Sequence, residues 1–145
     1  MPALTLSEFA DKVAEVMPAF FREFMRNQPA QLRKTGITPP QFMILNVLNR
    51  TGESRMTDLA HALGVSTAAV TGIVDRLVRD GFLVRKSDPK DRRIVKVDLT
   101  PKAARMVKEA AEHRKRLTMK IFGMISQRER EEYLKILMHV KEHLK

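Results

Sequence analysis

The stretch Leu59–Leu77 constrains the fold more than any other part of the chain. Its first half, Leu59-Ala60-His61-Ala62-Leu63, is a short helical run closed by Gly64. Glycine enters the left-handed conformation that ends a helix without steric cost, so a turn is expected there. Ser66 is a favoured N-cap and opens a second helix. In that helix Val70, Ile73, Val74, Leu77 and Val78 recur at i, i+3, i+4, i+7 and i+8, which is a buried stripe. The small residues at the junction let the two helices cross closely, and the unit reads as a helix-turn-helix. The second helix keeps Thr67, Ala68, Thr71, Gly72, Asp75, Arg76 and Arg79 on its outward face.

The flanks are delimited by helix caps. Thr5-x-x-Glu8, Thr38-Pro39-Pro40-Gln41 and Ser126-x-x-Glu129 are capping boxes, and Thr100-Pro101 is a cap followed by an N1 proline. They predict helices over about 6–27, 39–50, 101–124 and 127–143. Thr57 is expected to cap a short helix over 58–63. Pro18 is expected to kink or split the first helix near Met17, since it lacks an N–H and crowds the preceding turn. From Phe82 the period changes. Phe82-Leu83-Val84-Arg85 reads as a strand, and Val95, Val97 and Leu99 alternate with Lys96 and Asp98 as a second. The turn-rich segment between them makes these a hairpin. The fold class is therefore mainly α: a helix-turn-helix with a two-stranded wing, between N- and C-terminal helices.

Charge and composition narrow the function. The 145 residues suit about one domain, with 43% hydrophobic and 30% charged residues. The net charge of +10 suggests a polyanionic partner, and Arg85–Lys96 alone carries +4. There is no cysteine, which excludes disulfides, thiolate metal sites and cysteine nucleophiles. No apolar stretch reaches the ~18–20 residues of a membrane span, and the first residues lack a signal-peptide pattern. No membrane partner and a cytoplasmic location are expected. No glycine-rich phosphate loop or nucleophile–base spacing is evident, so an enzyme is not expected.

A recognition helix must bring its N-terminal residues close to base edges, and Thr67, Ala68 and Thr71 are small enough. Threonine hydroxyls bond bases or phosphates, and their methyls touch thymine methyls. The hairpin tip carries Lys90, Arg92 and Arg93 beside Asp88 and Asp91. An arginine at such a tip can enter the narrow minor groove.

The helix-turn-helix, the Val74-Asp75-Arg76-Leu77 sequence and the wing Asp88-Pro89-Lys90-Asp91-Arg92-Arg93 running on to Leu99-Thr100 resemble the multiple-antibiotic-resistance regulator (MarR) family. The resemblance covers essentially the whole chain. It implies a homodimeric transcriptional regulator, of ligand-responsive repressor type, on a pseudo-palindromic double-stranded DNA operator. Residues 1–145 would form one MarR-like domain, with dimerisation helices in 1–35 and 101–145 around a DNA-binding lobe in 36–100. Ser66, Thr67, Ala68 and Thr71 would lie at the DNA, and Arg76 near its backbone. Asp91 would brace the wing, and Arg93 would be the minor-groove arginine. The lack of cysteine separates this chain from peroxide-sensing members. The alternative is a basic architectural DNA- or RNA-binding module without base readout.

Leu6, Phe9 and Val13 at one end and Leu134, Leu137 and Leu144 at the other need a partner surface, and a symmetric dimer supplies one. Phe20, Phe21, Phe24, Phe42 and Met43 are candidates for a pocket, and the family resemblance implies a small aromatic or anionic effector there. His139 and His143 are four apart on one helix face, but the sequence fixes no third ligand, and no metal or cofactor is expected.

Overall fold

The computed structural model describes residues 3–28 and 30–144. Among them seven helices and three strands follow in the order α1 Leu6–Arg26, α2 Ala30–Lys34, α3 Pro39–Thr51, β1 Ser54–Arg55, α4 Met56–Leu63, α5 Thr67–Arg79, β2 Leu83–Ser87, β3 Val95–Leu99, α6 Pro101–Phe122 and α7 Gln127–His143. The chain forms two compact units, Gln28–Ala111 and Met1–Asn27 with Glu112–Lys145. The first of these takes in α2 and the start of α6 as well as the expected 36–100 lobe. The reason lies in its core, where Ala103 and Val107 of α6 are fully buried beside Leu45, Leu59, Val74 and Leu77. Each such leucine contributes about 1.5–3 kcal/mol by leaving water.

The helix-turn-helix forms as its residues dictate. Gly64 takes the left-handed conformation (φ 66°, ψ 32°) and ends α4. The Ser66 hydroxyl accepts the Ala69 N–H at 3.1 Å and starts α5. Val70, Val74 and Leu77 are buried, while Ile73 and Val78 pack partly covered against the same core. That packing fixes the rotation of α5 and leaves Thr67, Ala68, Thr71, Gly72, Asp75, Arg76 and Arg79 exposed. The start of α4 differs from expectation. The helix begins at Met56, one residue before Thr57, and its N-cap is Arg55, with no side-chain cap bond. The chain enters α4 directly from β1, so strand pairing holds the extended N-cap conformation that a hydroxyl would otherwise hold.

The wing has three strands where two were expected. Their order is β1-β3-β2, all antiparallel. Ser54 and Arg55 pair with Val97 and Lys96, and β2 pairs with β3 from Leu83↔Leu99 to Ser87↔Val95. β2 starts one residue later than expected because Phe82 is a core residue, capped by the Lys102 ammonium 4.4 Å above its ring. On β3 only Val97 is fully buried; Val95 is exposed and Leu99 half-buried. Thr100 locks the exit: its hydroxyl donates to the Gly81 carbonyl at 2.8 Å and accepts the Ala103 N–H at 3.2 Å.

In the other unit α1 runs through Pro18 as one helix, so of the expected kink or split the split does not occur. Proline removes the bond to the Ala14 carbonyl, but Ala14 and its surroundings are exposed, so water can take that bond. The capping boxes Thr5/Glu8 and Ser126/Glu129 form as read. At the α6–α7 turn the Phe122 and Tyr133 rings stack with centroids 5.1 Å apart. The Arg130 guanidinium donates to the Phe122 carbonyl at 3.1 Å and to that of Ile125. Gly123 is required there, since a Cβ would stand 2.7 Å from the Met119 carbonyl oxygen.

Candidate nucleic-acid interface

The exposed face of α5 is built from small residues at its start and cations toward its end. The Thr71 hydroxyl donates to the Thr67 carbonyl at 2.9 Å. Its hydrogen is thereby occupied, and Thr71 presents a methyl and an acceptor oxygen. Ser66 spends an acceptor position on the cap and keeps its own O–H. Ala68 adds only a methyl. Arg76 is exposed about two and a half turns along the same helix and joins no ion pair among the described residues.

The wing tip is held by its two aspartates. Asp88 accepts the Lys90 N–H at 2.8 Å, and Asp91 accepts the Arg93 N–H at 3.0 Å. The Ile94 N–H bonds the Asp91 carbonyl and the Asp88 N–H bonds the Ile94 carbonyl, closing the loop. Asp91 therefore fixes the backbone from which Arg93 projects, and its Oδ1 also lies 3.6 Å from Arg93 Nε. The Arg93 side chain remains 94% exposed. Arg92 and Lys90 are exposed beside it. The Lys90 N–H, and then Lys96, hold the Asp88 carboxyl below its ordinary pKa.

Several residues that sequence reading missed tie the wing to its neighbours. Arg85 of β2 pairs with Asp75 of α5. Lys96 of β3 bridges Asp88 at 3.2 Å and Glu53 at 3.6 Å. Lys86 bonds Asp98 across the hairpin at 3.0 Å, and this raises the Lys86 pKa. Each pair is partly exposed and contributes at most about 1 kcal/mol to stability. Of these, Arg85–Asp75 ties the wing to α5, and the others tie the hairpin to itself and to Glu53. The +4 charge of this segment was visible in sequence, but which cations carboxylates consume is a tertiary fact.

The MarR family model matches residues 37–95, from the α2–α3 junction to the return strand of the wing. The transcriptional regulator Tm0710 from Thermotoga maritima is 30% identical, with 92% of this chain and 94% of that chain aligned at a TM-score of 0.62. The chain belongs to the MarR family. The uncharacterized HTH-type transcriptional regulator YsmB of Bacillus subtilis (strain 168) is 28% identical over 79% of this chain and 78% of its own length. Bordetella bronchiseptica BpsR, whose DNA binding is regulated by 6-hydroxynicotinic acid, is 27% identical over 90% of this chain and 98% of its own, with a TM-score of 0.63. This MarR-family protein is a winged-helix, DNA-binding transcriptional regulator. A charge-driven architectural module is not favoured.

The remaining candidates lie as follows in this MarR chain. Phe20 and Phe21 are exposed and Phe24 half-buried on α1, in one unit; Phe42 is half-buried and Met43 exposed on α3, in the other. Leu6, Phe9, Val13, Leu134, Leu137 and Leu144 are all exposed, and neither α1 nor α7 buries a residue within the chain. The His139 and His143 rings lie tilted to one another with centroids 4.5 Å apart, and His143 Nδ1 lies 2.8 Å from the His139 carbonyl. Among the described residues no three acidic, histidine or cysteine side chains gather to hold a metal. Nor is any helix among them long and apolar enough to cross a membrane.

Proposed function

We propose that this regulator binds a pseudo-palindromic operator as a homodimer, with α5 in the major groove and Arg93 in the flanking minor groove. The observation that carries the reading is the rotation of α5. Burial of Val70, Val74 and Leu77 turns Ser66, Thr67, Ala68 and Thr71 outward together. A helix with a small-residue start can approach base edges, and the cationic Arg76 further along suits a phosphate. The wing supports the same reading, because Asp91 presets the segment bearing a solvent-exposed arginine.

The dimer follows from α1 and α7. Leu6 is 83% exposed and Leu144 74% exposed, an apolar surface that a single chain leaves to water. A second copy covers both helices by two-fold symmetry, and the same symmetry matches a palindromic site. The effect on transcription is repression in the cytoplasm, relieved by a small aromatic or anionic effector. The regulation of BpsR by 6-hydroxynicotinic acid supports the effector class. Phe20, Phe21 and Phe24 in one unit, or Phe42 and Met43 in the other, are the residues proposed to contact it.

Selection of bound duplexes from a random pool tests the proposal. It should return two inverted half-sites whose centres lie about one helical turn apart, or a multiple of it. A single half-site, or no enrichment, would contradict it.

A further inference from the structure

A cavity of about 330 Å³ opens where the start of α4 meets the strand leaving the wing tip. Arg55, Met56, Thr57, Arg93, Ile94 and Val95 line it. Two guanidinium-bearing residues thus share one cavity, and no carboxylate lines it. The cations nearby differ in how they are used. Lys96, directly across the ladder from Arg55, is consumed by Glu53 and Asp88. Arg93 retains only the 3.6 Å approach to Asp91. Arg55 is exposed and joins no ion pair among the described residues. Met56, Ile94 and Val95 give the cavity an apolar lining.

We infer that Arg55 and this cavity seat the sugar-phosphate backbone of the DNA strand bordering the minor groove that Arg93 enters. The inference rests on the DNA-binding reading above. An apolar surface under two cations matches a deoxyribose face with a phosphodiester oxygen beside it, and the cavity is continuous with the wing through Arg93. A bare inorganic anion would use the arginines and waste the apolar lining. Phosphate contacts fix register without reading sequence, so Arg55 acts equally on every duplex. A free carboxylate shares the anion chemistry and is separated by experiment.

The test compares the parent with Arg55→Gln and Arg55→Lys by fluorescence anisotropy, on the selected operator and on a scrambled duplex, across a salt series. Arg55 makes no side-chain cap bond, so the variants should melt with the parent. Arg55→Gln should bind both duplexes about tenfold more weakly at low salt, with unchanged preference between them. Its slope of log K against log salt should be shallower by about 0.9, and Arg55→Lys should restore that slope. A parent that binds neither duplex overturns the DNA-binding reading and this inference with it. A parent that binds, with an Arg55→Gln variant of identical slope, overturns the seat alone. So does release of the parent by benzoate when an Arg55→Gln variant that binds DNA like the parent is not released, which would give the cavity to a free carboxylate.

Discussion

The proposed base contact of Thr71 can be tested apart from folding. The Thr71 hydroxyl hydrogen is held by the Thr67 carbonyl at 2.9 Å, so only a methyl and an acceptor oxygen remain on the exposed face of α5. The methyl suits thymine; the acceptor suits an adenine or cytosine amino group. Thr71→Val keeps the methyl and removes the oxygen, and Thr71→Ala removes both. Neither touches the Val70–Leu77 stripe, and a back-bond to the i−4 carbonyl adds little to a helix, so stability should move by no more than about 0.5 kcal/mol. Loss of one base contact costs about 1–3 kcal/mol, or roughly 5- to 150-fold in affinity for the best operator. Anisotropy on duplexes substituted at each operator position shows where the preference relaxes. No charge is lost, so the salt slope should stay that of the parent. If the methyl does the reading, Thr71→Val should bind within about threefold of the parent while Thr71→Ala loses the preference at one base pair. A Thr71→Ala protein with the parent's full preference refutes the placement of Thr71 at the bases.

Other perturbations test other parts. Arg93→Ala should leave melting unchanged, weaken binding to specific and scrambled duplexes, and make the salt slope shallower by about one ion; Asp91→Ala should reproduce part of the loss, and parental binding by Arg93→Ala would reduce the wing to a charged turn. Leu137→Asp places a carboxylate in the proposed apolar seam, so light scattering should report monomer or aggregate, whereas an unchanged dimer removes α7 from the interface. The folded pKa of Asp88 lies below its unfolded value, so its contribution is complete above the ordinary aspartate range and fades as pH falls through the lowered value. The protection factor of the Lys90 amide should therefore hold from neutral pH down to about 4 and drop below it, with the step absent in Asp88→Asn; a step nearer neutrality would contradict the assignment.

What was legible in the sequence is what local chemistry decides. The capping boxes at Thr5, Thr38 and Ser126 declare helix starts because the cap and its partner lie three residues apart. The α5 stripe declares its own outward face, and with it Ser66, Thr67, Ala68 and Thr71. What was not legible depends on distant partners. β1 is two residues long and is a strand only because Val97 and Lys96 pair with it. The same pairing puts Arg55 at the N-cap of α4 and displaces Thr57. The five-residue α2 has no cap signature to read. Pro18 signalled a break that solvent exposure makes unnecessary. Within the wing, the charge excess was plain, but the ion pairs that consume Arg85 and Lys96 and leave Arg55 open come from the sheet register.

Sequence-specific binding is the central claim, and one ratio tests it most directly. The affinity of the protein for its selected operator should be measured against a scrambled duplex of equal length and composition at physiological salt. Base readout by two α5 helices predicts a preference of about 10³-fold or more, since a lost base pair costs about 1–3 kcal/mol at each of several positions. A ratio near one across the salt range would mean that charge alone holds the DNA, and would contradict the account.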